Sequence, residues 1–295
     1  ALGLDCEKDE IILADIEPFE CSSTEIREKL TEYRRSRTVL HKDSKILTSW
    51  NGLMIKAMCD LYLVSQKEIY LSAAINADRF IQDNLCENNT LFVSFYRGKR
   101  GVRGFLDDYA SYVFAQLALY RVTLEQKYLE CAKSMCEKVL SDFGDNNGGF
   151  YLYGKTHEEL ILRPKETYDG AIPSGNSLMA YNLVRLFLVT EEEKYKKEAE
   201  RQLDFLSDDA SHFPPNHSMF LIALLEFYKP QIKVTVAVDD RTSISRLALE
   251  LPPDATVVLT PKNVKDYPLK NGRTTYYVCR NNMCLPPTNN FNYLA

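Results

Sequence analysis

The sequence predicts a mainly α-helical protein of stacked helical hairpins, followed by a small α/β subdomain. Three times in the chain a polar cluster opens an apolar helical run, and a Tyr-x-x-x-Ala pair opens a second helix about 19 or 20 residues later. Self-similarity of this kind is typical of helical repeats, in which each hairpin buries its apolar face against the next. The clusters and their pairs are Asn51 with Tyr70/Ala74, Asp108 with Tyr128/Ala132, and Asn176 with Tyr195/Ala199.

The spacing of each Tyr-x-x-x-Ala pair indicates how the hairpins pack. Residues four apart share one face of a helix, so each alanine lets a neighbouring helix approach closely while each tyrosine covers the seam. The apolar first helices would then form one layer and the Tyr-x-x-x-Ala helices another. Because a polar cluster lies at the start of every first helix, we expect the clusters to gather at one rim, where a ligand could be held.

The composition limits the classes of partner. With 295 residues, of which 45% are hydrophobic, the chain is long enough for one large domain and a small second one. The net charge is −5 and acids and bases are interleaved, which argues against nucleic acid and against an anionic membrane surface. We expect no membrane association, since no apolar run reaches the roughly 18 residues of a membrane span. The first residue is not Met, so we expect a missing N-terminus, and the cytoplasm is the favoured compartment.

The eight cysteines do not form a zinc-ligand pattern, so neither a metal nor another cofactor is expected. Most are interpreted as small core residues in a reducing compartment. Cys279 and Cys284 flank a turn-like stretch that could bring two thiols together. They are either inert thiols or a redox-active or bridged pair.

The helices follow in chain order from the hydrophobic spacing and the turn residues. Ser22 or Ser23 is expected to cap a charged helix that runs to about Arg37, with charges placed as the helix dipole favours. Short strands are expected at 91–96 and 150–153, next to glycine-containing turns. The predicted hairpins span 49–64 with 67–85, 105–122 with 126–142, and 174–189 with 192–206, and a last helix spans 217–228.

Beyond Lys229-Pro230 the pattern changes to β-branched runs. Strands are predicted at 232–238, 256–259 and 275–278, and a short helix at about 243–249. We therefore divide the chain into a helical-hairpin domain, residues 1–229, and a small α/β subdomain, residues 230–295.

The first polar cluster contains the only tryptophan of the chain. Trp50 lies at a helix start beside Asn51, and an aromatic plane beside an amide suits a sugar ring, which has apolar faces edged by hydroxyls. The structural alternative is that Ser49 caps the helix and Trp50 lies in the core.

The second and third clusters contain carboxylates. Asp107 and Asp108 lie in the first turn of a helix, where the dipole favours acids whether or not they act in chemistry. Adjacent acids point about 100° apart, so one can cap the helix while the other is free for substrate. In the third cluster Ser174 or Asn176 can cap the helix. Asp169 lies outside that helix without a local capping duty, so we expect it to be the leading catalytic acid.

Four stretches of the chain follow one another in a characteristic order and spacing. They are His41-x-Asp43-Ser44-Lys45-Ile-Leu-Thr-Ser-Trp50-Asn51-Gly52-Leu-Met, Phe105-Leu-Asp107-Asp108-Tyr109-Ala, Asp169-Gly-Ala-Ile-Pro-Ser-Gly-Asn176-Ser and Tyr277-Val-Cys279-x-Asn-x-x-Cys284-x-Pro-Pro287. In order and spacing they resemble the spermatogenesis-associated protein 20 family of thioredoxin-domain-containing proteins.

The resemblance implies an N-terminal thioredoxin-like domain, absent here, then an (α/α)6 toroid of the six-hairpin glycosidase kind and a small C-terminal domain. We therefore expect a partial toroid. Many relatives carry a second Asp where Ser44 stands, so Asp43 is the single acid of this motif here.

The implied fold suggests a carbohydrate-related function. Glycosidases of this fold use two carboxylates as general acid and base, which predicts Asp169 as acid and Asp107 or Asp108 as base. One alternative is a non-catalytic binding or scaffold module that supports the thioredoxin-like domain, and another is a redox function through that domain. The residues expected to bind a carbohydrate are His41, Asp43, Lys45, Trp50, Asn51, Tyr109, Ser174 and Asn176.

An epimerase is disfavoured. The related 2-epimerases rely on histidines, and returning a proton to the opposite face of a sugar would need a second base. Of the four histidines of the chain, His41 is the one that lies beside a predicted rim motif.

Overall fold

The computed structural model describes residues 23–37, 42–157, 162–239, 244–252, 255–260, 264–280 and 283–291. The chain divides into two compact units, Ala1–Ser44 and Lys45–Ala295. The described helix of the first unit is α1 (Ser23–Arg37), which begins with an acid in its first turn and ends with arginines, as predicted. Ser22, one of the two predicted caps, lies outside the described residues.

The second unit is built mainly from helical hairpins. The inner helices α2, α4, α6 and α8 pack side by side in that order, and each of the first three pairs with the outer helix that follows it. The predicted hairpins are confirmed, although the last outer helix continues to His212, beyond the predicted end at Leu206, because Ala210 still packs into the core. The helices are α2 (Thr48–Ser65), α3 (Glu68–Leu85), α4 (Leu106–Thr123), α5 (Gln126–Asp142), α6 (Gly175–Thr190), α7 (Glu193–His212) and α8 (Ser218–Tyr228).

One turn geometry joins the helices of every hairpin. The residue after the inner helix is left-handed, with φ of 56° at Gln66, 56° at Leu124 and 57° at Glu191. In each turn its backbone N–H donates to the carbonyl four residues earlier. The repeat seen in the sequence is therefore also a repeat of backbone conformation.

Small residues allow the close helix contacts that the repeat predicts. The alanines Ala74, Ala132 and Ala199 are almost completely buried between helices. Between α2 and α4 the approach is closer still, since a Cβ on Gly52 would lie 2.6 Å from the carbonyl oxygen of Ser111. The inner helices therefore lie against one another along one continuous core.

Short strands lie in the connections before α2 and between α3 and α4. The predicted strand at 91–96 is split between two small antiparallel sheets, and the one at 150–153 is reduced to a single bridge between Gly144 and Phe150. The strands are β1 (Ile46–Leu47), β2 (Cys86–Glu87), β3 (Thr90–Leu91), β4 (Ser94–Tyr96) and β5 (Lys99–Arg100), with sheet orders β1-β4-β5 and β2-β3.

The C-terminal part of the chain is a small α/β subdomain, as predicted. Its sheet has the order β7-β6-β8-β9, in which β6 and β7 are parallel and the other pairs are antiparallel. Cys279 and Cys284 lie opposite each other in β8 and β9 and form a disulfide, so the bridged alternative holds. The elements are β6 (Ile232–Ala237), α9 (Ile244–Glu250), β7 (Thr256–Leu259), β8 (Thr275–Arg280) and β9 (Met283–Cys284).

The subdomain packs against the C-terminal ends of the inner helices. Leu124, at the end of α4, belongs to the apolar core of the subdomain. The guanidinium of Arg121 donates to the carbonyls of Ala248, Leu251 and Pro252. The opposite, N-terminal ends of the inner helices are thus left for the candidate site. No described helix combines the length and apolar character that a membrane crossing needs.

Candidate functional site

The N-termini of neighbouring inner helices are tied together by buried carboxylates. Asp108, only 3% exposed, accepts the backbone N–H of Phe105 at 3.0 Å at the start of its own helix, and that of Ser49 at 3.1 Å in the first turn of α2. Burial raises the pKa of Asp108 to about 7, against the effect of the two N–H donors. Asp108 therefore acts as a cap for two helices at once.

Asp169 performs the same task for α6 and α8. Its Oδ1 accepts the backbone N–H of Ser174 at 2.9 Å and the hydroxyl of Ser174 at 3.1 Å. Its Oδ2 accepts the N–H groups of Met219 at 2.8 Å and Phe220 at 3.4 Å, in the first turn of α8. Asp169 was expected to have no local capping duty, but it binds Ser174, the N-cap of α6, five residues further on. It also caps α8, which begins about fifty residues further along the chain.

Ser174 and Asn176 also serve the framework. Ser174 is the N-cap of α6, as the sequence allowed, and accepts the N–H of Ser177. Asn176 is fully buried, and its amide binds both backbone groups of Phe150 and the carbonyl of Glu166. The amide of Gln202 donates to its side-chain oxygen. Neither residue presents a side chain to the open rim.

Tyr109, another predicted carbohydrate contact, lies in the core. It is 2% exposed, its ring packs on Phe143, and its hydroxyl accepts the backbone N–H of Leu91 at 3.0 Å. Burial raises the pKa of this hydroxyl. The residue ties β3 to α4 and is enclosed in the core.

Trp50 is on the surface, so the alternative that places it in the core is wrong. It is 62% exposed. Ser49 does not cap α2, which begins at Thr48, and its N–H is capped by Asp108 instead. Trp50 lies about 200° around the helix from Gly52, the residue that touches α4. Its ring therefore belongs to an exposed apolar stripe with Met54 and points away from the neighbouring inner helix.

Three further predicted residues have less defined roles. Asn51 is half-buried and donates its amide to the carbonyl of Leu47 at 2.7 Å. Asp43 belongs to the first unit and Lys45 to the second, and both side chains are exposed. His41 lies outside the described residues.

Of the three predicted catalytic acids, Asp107 is the one that is only half-buried. Burial raises its pKa, the nearby carboxylate of Glu166 raises it further, and the backbone N–H of Gly175 opposes both. A Cβ on Gly175 would lie 2.5 Å from Oδ1 of Asp107, so only a glycine lets the start of α6 reach this carboxyl group. Asp107 thus lies between the N-termini of α4 and α6.

Glu166 completes a pair of carboxylates that sequence reasoning missed. Its side chain is exposed, on the loop that leads to α6, and two residues later the ring of Tyr168 is 60% exposed. The loop is held in place because Asn176 binds the backbone carbonyl of Glu166 at 2.8 Å. Nothing in the local sequence marks this acid, since its neighbour Asp107 is far away in the chain.

A histidine also lies at this end of the helices. His217 is 6% exposed, immediately before α8, and its Nδ1 has no hydrogen-bond partner among the described residues. His217 therefore lies at this end of the helices, although it does not belong to a predicted rim motif. Within the same described residues, no three or more side chains of the ligating types are grouped as a metal site.

Comparison with known proteins identifies relatives in sequence. The chain is 34% identical over 183 residues to an uncharacterised protein of Caenorhabditis elegans and 34% identical over 171 residues to human spermatogenesis-associated protein 20. The predicted family resemblance is confirmed. The matches cover 59% and 54% of this chain, but the chain spans only about a quarter of the length of these relatives, 25% and 22%. No protein-family model matches the chain.

Solved structures identify the fold. A family 76 glycoside hydrolase from a bovine Bacteroides thetaiotaomicron strain superposes with a TM-score of 0.53 and 15% identity, covering 62% of this chain and 43% of that one. A family 76 α-mannanase of Bacteroides thetaiotaomicron gives a TM-score of 0.50 and 13% identity, covering 83% and 68%. The hairpins therefore form part of a six-hairpin glycosidase-like (α/α)6 toroid, as the resemblance implied. At this identity the likeness concerns the fold alone.

Proposed function

We propose that this chain is a carbohydrate-active protein whose site lies at the N-terminal ends of the inner helices, with Asp107 as general acid and Glu166 as the second carboxylate. The observation that carries the proposal is the half-buried Asp107, whose pKa is raised by burial and by Glu166. A general acid must hold its proton near the working pH, and a partly desolvated carboxyl beside a second acid does so.

The roles of the other predicted acids follow from their hydrogen bonds. Both oxygens of Asp169 accept donors from α6 and α8, so neither is directed at a substrate. Asp108 is committed in the same way to α2 and α4. We assign these two carboxylates to positioning: they hold the helix ends between which Asp107 lies.

A sugar needs an apolar platform as well as acids. The ring of Tyr168 is 60% exposed and lies two residues from Glu166, close enough in the chain for both to contact one sugar ring. Trp50 is exposed on the side of α2 that points away from α4, so we do not assign it to the sugar site. The fold is compatible with the assignment, since the two solved relatives are described as a glycoside hydrolase and an α-mannanase.

The test combines binding and hydrolysis by the intact protein. A thermal-shift screen with α-linked mannobiose and other disaccharides should give a stabilisation that rises with ligand concentration. Asp107→Asn should keep this shift and lower the rate of disaccharide hydrolysis by roughly a hundredfold or more, because a general acid contributes about 10²–10⁴. With a dinitrophenyl glycoside, whose leaving group needs no protonation, the loss should be much smaller.

Asp204→Asn, on an exposed acid of α7, is the matched control and should leave both readouts unchanged. Hydrolysis should decline as the pH rises through the raised pKa of Asp107, since only the protonated form donates. A disaccharide rate that is the same in Asp107→Asn and in the control would contradict the catalytic assignment.

A second candidate is a binding module without chemistry, adjacent to the thioredoxin-like domain that the family resemblance implies. The observation that favours it is that two of the three predicted catalytic acids cap helices. A sugar-dependent thermal shift without any hydrolysis would select this candidate. The absence of a shift with every disaccharide would reject both.

A further inference from the structure

The seam between α3 and α4 contains a buried polar cluster on the outer side of the hairpins. At its centre is Asp78, which is 3% exposed. Its Oδ1 accepts the hydroxyl of Tyr112 at 2.9 Å and the amide of Gln116, and its Oδ2 accepts the amide of Gln82 at 2.7 Å. Tyr112 and Gln116 are themselves fully buried.

The other hairpins place apolar side chains at the same positions of the repeat. When the repeats are aligned on their polar clusters and Tyr-x-x-x-Ala pairs, the polar residues are peculiar to this one seam. The equivalents of Asp78 are Cys136 and Leu203, those of Tyr112 are Ile55 and Ala180, and those of Gln116 are Cys59 and Val184. The architecture therefore does not require a carboxylate here.

A buried carboxylate lowers the stability of the fold unless other groups compensate for the lost hydration of its charge. Burial is the main influence on Asp78 and raises its pKa, against the opposing effect of its hydrogen bonds and of Lys127. Replacing a buried charge network by packed apolar residues is often neutral or stabilising. The equivalent seams, which are apolar, show that this fold can make that replacement. Helix packing alone thus leaves Asp78 unexplained.

A groove opens directly over this cluster. Its volume is about 490 Å³, within the range of small-molecule sites. Asp78 and Tyr112 lie at its floor, Ile75 and Met135 are apolar members of its lining, and the exposed Arg79 also lines it. The remaining lining residues are Gln82, Cys86, Asn88, Asn89, Lys127, Tyr128 and Cys131.

The hydrogen bonds of Asp78 leave room for one more donor. An ionised carboxylate offers about four acceptor positions. Two donors reach Oδ1 and one reaches Oδ2, so Oδ2 can accept another. A cationic donor would also offset the cost of burying the charge. Arg79 and Lys127 are exposed cations in the lining that can pair with an anionic group of a ligand. Lys127 also forms an exposed ion pair with Glu125 at 2.6 Å.

We propose that this groove binds a small zwitterion, namely an α-amino acid with an apolar side chain. Its ammonium group donates to Oδ2 of Asp78, its carboxylate is held by Arg79 and Lys127, and its side chain contacts Ile75 and Met135. This site lies between the outer helices α3 and α5, whereas the acids of the proposed carbohydrate site lie at the N-terminal ends of α4 and α6.

The test uses isothermal titration of the intact protein with L-leucine and two analogues of the same shape that each lack one charge. L-leucine should bind at millimolar concentration or below. 4-Methylpentanoic acid, without the ammonium group, and isoamylamine, without the carboxylate, should each bind about tenfold more weakly or worse, since charge-assisted hydrogen bonds are lost.

Variants separate the two ends of the ligand. Asp78→Asn should weaken L-leucine about tenfold to a hundredfold and leave 4-methylpentanoic acid unchanged. Asp83→Asn, the same change on an exposed residue of α3, is the matched control. Arg79→Gln should weaken the binding of L-leucine but not that of isoamylamine. Because Arg79 is exposed, this variant should fold, and it therefore tests the proposal even if Asp78→Asn does not fold.

Two results would overturn the proposal: no L-leucine binding at millimolar concentration, or equal binding by Asp78→Asn and Asp83→Asn. Asp107→Asn should bind L-leucine like the wild type. Failure of the sugar experiments therefore does not affect this test, and failure of this test does not affect them.

Discussion

The two ends of the inner helices are stabilised in different ways. At the C-terminal ends the same local device occurs three times: a hydroxyl donates to the carbonyl four residues earlier and accepts the N–H two residues later. The residues are Ser65, Thr123 and Thr190. Every partner lies within a few residues, so each hairpin can form its own turn.

At the N-terminal ends of α2 and α8 the acceptors come from far away in the chain. Ser49 is capped by a residue 59 positions later, and Met219 by one 50 positions earlier. Only the packed structure brings these groups together. The comparison teaches that the hairpins are locally encoded, whereas the rim that carries the candidate site depends on tertiary contacts. Mutations at the two ends should therefore differ in size and in kind.

The largest effect is expected for Asp169→Ala. The substitution leaves the buried N–H groups of Ser174 and Met219 without their acceptor and removes the carboxylate that links the starts of α6 and α8. Unsatisfied buried donors cost about 1–3 kcal/mol each, so we expect a loss of roughly 3 kcal/mol or more in the free energy of unfolding. Urea denaturation followed by circular dichroism measures it.

Asp204→Ala, on an exposed acid of α7, is the control for this experiment and should change stability little. A loss of less than about 1 kcal/mol in Asp169→Ala would mean that other contacts hold the helix ends. It would contradict the statement that the N-terminal ends of α6 and α8 depend on this carboxylate.

The next effect is expected for Gly52→Ala. In an exposed helix this change would stabilise by about 1 kcal/mol. Here the new Cβ would lie 2.6 Å from the carbonyl oxygen of Ser111, so α2 and α4 must separate. We expect a net loss of about 1–3 kcal/mol in thermal or urea unfolding. Equal or increased stability would show that the helices can move apart without cost.

An effect of similar size, but dependent on pH, is expected for Asp108→Asn. The amide cannot accept both backbone N–H groups, which costs about 1–3 kcal/mol. The pKa of Asp108 is about 7 when folded, against an ordinary value of 3.8, so the folded state holds the extra proton between these values. Stability contributed by this proton is present at about pH 4 and is lost as the pH rises to about 7, by at most about 1.4 kcal/mol per pH unit.

Unfolding free energies of wild type and Asp108→Asn, measured at intervals from pH 4 to pH 7, test this sign. The wild type should lose more stability over the interval than the variant. Parallel profiles would show that Asp108 keeps an ordinary pKa in the fold.

The smallest effect is expected for Gln66→Gly, at the C-terminal end of α2. Gln66 is exposed in a left-handed conformation, so Gln66→Gly should stabilise the protein by about 0.5–1 kcal/mol. Leu124→Gly at the equivalent position should destabilise it, because Leu124 is buried in the subdomain core and its transfer is worth about 1.5–3 kcal/mol. Differential scanning calorimetry of the pair checks the opposite signs, and the same sign for both would contradict the local interpretation.

Particular residues show how far sequence reasoning reaches. The hairpins were predictable because apolar spacing and the Tyr-x-x-x-Ala pairs repeat locally. Residue type alone limited the cap of α6 to Ser174 or Asn176, and the structure selects Ser174. Asp169 was misjudged because its partners on α8 are distant. Glu166 was missed because Asp107, in the first turn of α4, becomes its neighbour only in the folded structure. The polar seam at Asp78 is visible in the sequence, since an acid stands where the other repeats have Cys136 and Leu203. Only the structure shows that a groove lies over this acid, and so only the structure suggests a binding site.

The sequence by itself determined the helical hairpins, their turns and the α/β subdomain, because these depend on side-chain periodicity and on hydrogen bonds between near neighbours. The tertiary structure alone decided which acids are buried caps and which reach solvent. That outcome depends on donors contributed by other helices and on desolvation by the packed core, and neither is a property of the residues next to an acid in the chain.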